Sequence, residues 1–235
     1  MAERVNNQVG ETRELLMALT HMLRSQRAPL AASKSALSLL LGGEVGRLTG
    51  QQRAYVEQIA QSEVALLRLS ESADTLAKLA AGVLPFRLQP QSIGRVVAIV
   101  MKTVNDPRLS LRTSAPASVI IDAASFERTL TSFVQYLLVC CNEQVVVRWR
   151  RSEGGVALSL HVPRGISPSA RTGLYRLLRG SIPSSMEDQV LLSELLLARA
   201  LLRLQNIHVE IDRHRRRGFL MRWHIPLANQ LDLFA

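Results

Sequence analysis

The sequence predicts an α+β chain: a long antiparallel helical hairpin followed by an α/β sandwich. Two apolar seams and a change of period carry that expectation. Leucines recur every seven residues from Leu16 to Leu37, and a second seam of similar spacing runs from Tyr55 to Ala80. After Pro85 the helical period gives way to short alternating strands interleaved with helices.

Residues 11–41 read as one helix. Leu16, Leu23, Leu30 and Leu37 form its stripe, Leu19 and Leu40 widen it, and Gln26 and Ser33 interrupt it. Pro29 predicts a kink, because it removes a backbone donor and crowds the preceding turn. Gly42, Gly43 and Gly46 end the helix. Thr49 is the expected N-cap of the next helix, with Gln52 completing a capping box. Residues 50–81 then carry the second seam: Tyr55, Ile59, Ser62, Leu66, Leu69, Ala73, Leu76 and Ala80, closed by Gly82. A lone hairpin cannot cover both seams. A second copy would, giving a four-helix bundle in a dimer.

FRLQPQS after Pro85 is a short extended piece broken by Pro90, and residues 92–104 read as a helix. SLRTSAP and ASVIID are expected strands, and residues 123–141 an apolar helix. QVVVRWRR and VALSLHVP alternate across Gly154-Gly155 and so predict a β-hairpin. Helices follow at 168–179 and 187–205, then a second hairpin from IHVEIDR and FLMRWHIPL. The expected product is one sheet with helices on one face. The expected domains are 1–85, 86–226 and a tail at 227–235.

Composition narrows the function classes. Hydrophobic residues make up 47% of the 235, enough for a real core, and aromatics only 4%. No run approaches the ~18 apolar residues of a membrane span. The polar start MAERVNNQVGETRE does not read as a secretory signal, so a cytoplasmic protein is expected. Cys140 and Cys141 sit in the apolar run YLLVCC and read as buried small hydrophobes, and no Cys/His spacing suggests a metal. The net charge of +10 invites nucleic acid, but the arginines are scattered and few aromatics accompany them. The dense run Arg213–Arg217 reads as a solvated hairpin tip. His208, His214 and His224 show no ligand partners, and no catalytic triad, carboxylate pair or P-loop lysine stands out.

The layout and several local stretches resemble the core of sensor histidine kinases. THMLRS at 20–25, soon followed by Pro29-Leu30, is similar to that family's phosphoacceptor box. GGEVGRLTGQQRAYVEQI at 42–59 is similar to its interhelix turn and second-helix start, and LAKLAAGVLPFRLQP at 76–90 to its entry into the ATP-binding domain. IIDAASFERTL at 120–130 resembles the lead-in to its Asn box. The resemblance spans roughly residues 11–226 and implies a phosphotransfer-type helical hairpin followed by a histidine-kinase-type ATPase sandwich.

The residues that carry the family's chemistry match less well. The family's histidine precedes the proline by five positions, whereas His21 precedes Pro29 by eight. Alignment on the proline puts Arg24 at the phosphoacceptor position, and a guanidinium is no nucleophile. His21 stays a candidate phosphoacceptor, because three helical residues rotate about 300° and return it near the same direction. The Asn box places Ser132 and Tyr136 where paired asparagines would hold Mg²⁺ and nucleotide. HVPRGI at 161–166 stands for Asp-x-Gly-x-Gly, with His161 replacing the adenine-reading Asp, Pro163 the first Gly, and Gly165 retained. VLLSELLLARALL at 190–202 occupies the place of the glycine-rich phosphate lid and has no glycine.

The expectation is therefore a degenerate kinase-like signalling protein of a two-component pathway, with ATP and Mg²⁺ binding lost. It would act as a homodimer and dock a response-regulator receiver domain or a kinase through Arg24, Arg27 and Pro29, near His21. A divergent active kinase and a basic nucleic-acid-binding protein are the alternatives.

Overall fold

The computed structural model describes residues 25–112, 116–152, 154–181, 189–212 and 218–227. The chain divides into two compact units, Met1–Pro85 and Phe86–Ala235.

The first unit contains α1 (Arg27–Gly42) and α2 (Gly50–Ala80), which pack on each other across a short link. Pro29 falls in the first turn of α1, where a missing N–H costs little. Residues 1–24, over which the helix would continue beyond a kink, lie outside the described residues. Gly43 ends α1 with φ +80, a left-handed conformation that glycine adopts without penalty, and its N–H reaches the Leu39 and Leu40 carbonyls. The capping box of α2 forms. The Gln52 N–H donates to Thr49 Oγ1 at 3.3 Å, and the Thr49 N–H donates to Gln52 Oε1 at 2.9 Å. The upper seam of α2 is uncovered in the single chain: Tyr55, Ile59 and Leu66 are all more than half exposed.

The second unit is built on a five-stranded mixed sheet. Its strands are β2 (Leu109–Arg112), β4 (Val145–Ser152), β5 (Gly155–Val162), β6 (His208–Ile211) and β7 (Phe219–Pro226), ordered β2-β4-β5-β7-β6. β2 runs parallel to β4, and all other neighbours are antiparallel. The expectation of one sheet needs correction. β1 (Gln89–Ser92) and β3 (Ser118–Ile121) form a separate two-stranded ribbon. Pro90 lies inside β1 rather than breaking it. A two-stranded ribbon has only edge strands, where a missing N–H can face away from the partner.

Helices α3 (Ile93–Val104), α4 (Ala123–Cys140) and α6 (Gln189–Leu204) contribute to the core on one sheet face, with α5 (Pro168–Arg179) beside α6. Strand alternation supplies that face with Val145, Val147, Trp149, Leu158, Leu160, Met221 and Trp223, all buried. Phe126 and Phe133 of α4 meet Trp223 edge-on, with centroids 5.7 and 5.3 Å away. The C-terminal end of α4 is closed by Arg108, whose Nη1 donates to the Leu138 and Cys141 carbonyls at 3.0 Å each. Asp106 holds that guanidinium from the other side at 2.8 Å, and this hydrogen bond holds the Asp106 carboxyl below its ordinary range.

Candidate functional site

Helix α4 begins at Asp122, the strand-Asp-helix position of the sequence. Its carboxylate accepts from the Ser125 N–H at 2.9 Å and from the Arg87 N–H at 3.0 Å. Its own N–H donates to Gln205 Oε1 at 3.0 Å, which ties the end of α6 to the start of α4. Partial burial pushes this carboxyl upward, but the Arg87 and Ser125 donors outweigh it and hold the group below its usual value. Asp122 is thus an N-cap with three structural bonds.

Ser132 and Tyr136 lie ten and fourteen residues further on, four apart and so on one helix face. Both are buried, at 1% and 3% exposure. Ser132 Oγ lies 3.0 Å from Glu194 Oε2 of α6 and 3.0 Å from the Arg128 carbonyl, two acceptors for one proton. The Tyr136 hydroxyl donates to the Ala170 carbonyl of α5 at 3.1 Å. Burial, and then the neighbouring Cys140 thiol one turn on, raise the Tyr136 hydroxyl far above its ordinary value, so it stays a neutral donor. Burial likewise raises Cys140. Neither side chain offers the free oxygen pair that a hard cation requires.

His161 is not on this side of the sheet. It pairs with Val146 and Leu220, and strand alternation turns it to the face away from α4. The last residue of β5 that faces the helices is Val162, fully buried and without a polar atom to read a base. The sequence expectation that His161 stands in the adenine-reading position therefore needs correction by one residue of strand parity. The signal was present: in VALSLHV the histidine alternates with the apolar residues rather than joining them. Gly165 adopts φ +89 in the turn after β5, where its N–H donates to the Val162 carbonyl at 2.9 Å. A tight turn accounts for this glycine.

The four positions that the resemblance assigns to an ATP site thus do not share one face of the sheet. Ser132 and Tyr136 lie buried among helices, His161 is on the opposite sheet face, and Gly165 is in a turn. In the place of a glycine-rich lid stands α6, whose Leu192, Leu195, Ala198 and Leu202 are buried in the core. Glu194 and Gln205, the α6 partners of α4, carried no signal in the sequence. They act 62 and 83 residues from the groups they bind. Among the described residues no group of three or more His, Cys, Asp and Glu side chains could hold a metal ion. His21 and Arg24 lie outside the described residues, as does the Arg27 side chain and the Arg213–Arg217 run. Pro29 is exposed on α1.

Solved structures resemble the chain at this level. ShkA, a histidine kinase whose full-length crystal structure was determined with AMPPNP, matches over 92% of the chain with a TM-score of 0.67 and 23% identity. The Acinetobacter baumannii histidine kinase AdeS matches over 87%, covering 98% of that chain, with a TM-score of 0.58 and 14% identity. The chain has the fold of a sensor histidine kinase core. It spans about half the length of ShkA, 46% of that chain. No family model matches the sequence, and no curated protein matches it. At these identities the likeness establishes the histidine kinase fold, and the chemistry rests on the side chains just described. No helix among the described residues is long and apolar enough to cross a membrane.

Proposed function

We propose that the chain is a degenerate histidine kinase-like protein of a two-component pathway that does not bind ATP. In this reading it acts as a homodimeric scaffold or regulator, or as a phosphotransfer partner, of a response regulator or a kinase. The observation that carries it is the state of Ser132 and Tyr136. Both positions that would hold Mg²⁺ and nucleotide are buried and already bonded to Glu194 and to the Ala170 carbonyl. Apolar Val162 at the end of β5 and a packed α6 in place of a lid support the same reading. Calorimetry with Mg-ATP tests it. No binding on the helix-covered side of the sheet is expected, and micromolar affinity there would make the chain a divergent active kinase instead.

The exposed stripe of Tyr55, Ile59 and Leu66 supports dimerisation through the helical unit. Ile59→Glu should shift the chain to a monomer in size-exclusion light scattering. Partner docking is assigned to the start of the helical unit, at Arg24, Arg27 and Pro29, where positive charge would steer an acidic receiver surface. Phosphorylated receiver domains, incubated with wild type and with His21→Ala, decide between relay and regulation. Label retained by wild type alone marks His21 as the relay, and equal retention removes it.

A further inference from the structure

The open face of the five-stranded sheet has a composition that packing does not explain. Three rows of side chains cross it, read from the strand register. The first is Ser110, Val146, His161 and Leu220. The second is Arg112, Arg148, Ser159, Arg222 and Glu210. The third is Arg150, Ala157, His224 and His208. Arg112 and Arg148 stand directly side by side on adjacent strands, roughly 5 Å apart at the backbone. Arg150 follows Arg148 on the same face. Like charges in register destabilise a sheet pair.

The charges on this face are unevenly answered. On the β6 side, Arg222 has Asp212 at 3.9 Å, and His224 has Glu210 at 3.4 Å. Among the described residues, no carboxylate lies within ion-pair distance of Arg112, Arg148 or Arg150. All three are exposed. They border, with His161 and Arg222, a cleft of about 480 Å³ whose floor is the small or apolar Val146, Ala157 and Leu220. The sheet thus presents a cationic hollow with a single acid, Asp212, in its lining.

We propose that this hollow is a binding site for a compact anion carrying two or more phosphoryl groups, held by Arg112, Arg148, Arg150 and Arg222. Guanidinium forks match phosphoryl oxygens in pairs, which exceeds what a point charge offers. The volume is that of a small-molecule site, in the usual range of ~300–1,000 Å³. Two features disfavour an extended nucleic acid. No Phe, Tyr or Trp lies in the three rows to stack on bases, and Glu210 with Asp212 would repel a backbone running on toward β6. The inference rests on the open face alone and is independent of the reading of the helix-covered side.

Titration calorimetry of the full chain at low salt, without Mg²⁺, tests it with sodium tripolyphosphate as the probe. Saturable binding at one site per chain is expected. Arg148→Gln and Arg112→Gln should each weaken it about 10-fold or more, the scale of one lost charge-assisted bond. Arg95→Gln on α3, which removes the same charge elsewhere, should leave it unchanged. Both face arginines are exposed, so these variants should fold, and melting curves check that they do. A nucleoside triphosphate run alongside separates the sources. Tighter binding than tripolyphosphate with the same Arg148 dependence identifies a nucleotide, and weaker binding identifies a free phosphate chain. The proposal is overturned by absence of saturable binding, by equal weakening in Arg95→Gln, or by tighter Arg148-dependent binding of duplex RNA or an acidic peptide. Helix-side Mg-ATP binding would be indifferent to Arg148, so the two readings fail separately.

Discussion

The two faces of the five-stranded sheet come from the same strands and obey opposite rules. In β4, Val145, Val147 and Trp149 enter the core while Arg148 and Arg150 leave it. In β7, Met221 and Trp223 are buried while His224 is exposed. On the helix side every polar group named at the candidate site is committed: Asp122 to three bonds, Ser132 to Glu194 and Tyr136 to Ala170. On the open side, three guanidiniums have no carboxylate among the described residues. Groups engaged in this way support the fold and have little left for a ligand. The face with unanswered charge is where binding energy remains.

Truncating one residue from each face breaks the comparison most directly. Trp223→Ala removes a fully buried indole against two phenyl rings and should cost ~3–5 kcal/mol. Arg222→Ala, its neighbour on the open face, should stay within about 0.5 kcal/mol. Urea unfolding of both variants gives the two numbers, and similar losses would mean that the open face is part of the core after all. Gly218→Ala comes next. Gly218 has φ +80, and an added Cβ would sit 2.3 Å from the Val162 and Pro163 carbonyl oxygens. Backbone strain of this kind costs about 1–3 kcal/mol, read as a fall in the denaturation midpoint.

Asp122→Ala should cost about 0.5–2 kcal/mol near neutral pH, through loss of the α4 N-cap. The carboxyl is depressed in the folded chain, so its contribution is fully present above the unfolded value of about 3.9. It is lost as the pH falls through the folded value. The gap between wild type and variant should therefore close on acidification. A gap that stays constant down to pH 2 would show that the cap acts without its charge.

Much of this contrast was legible in the sequence, and the failures are instructive. The capping box at Thr49, both hairpins and the helix at 168–179 follow from local chemistry, which needs no tertiary partner. The side of His161 was readable from alternation but was masked by a motif alignment that ignored strand parity. That Arg148 and Arg150 share a face is a property of one strand. That Arg112 and Arg222 join them depends on the strand order, which places β2 beside β4 and β7 beside β5. The ribbon of β1 and β3 was missed for a similar reason. A proline inside a short extended piece reads as a break until its partner reveals that the ribbon has only edges.

The smallest expected effect bears most directly on why the open face keeps its charges. Arg112→Gln removes one member of a side-by-side like-charge pair and touches no described carboxylate. Stability should therefore rise, by roughly 0.2–1 kcal/mol at low salt. The gain should vanish near 1 M salt, where the screening length is about 3 Å and shorter than the strand spacing. Tripolyphosphate should reverse the sign: with the anion present, wild type should become the more stable protein, because a ligand that binds only the folded chain stabilises it by mass action. A variant that is less stable than wild type at low salt without any anion would mean that Arg112 already has a stabilising role within the fold. The like-charge argument for an anion site would then lose its footing.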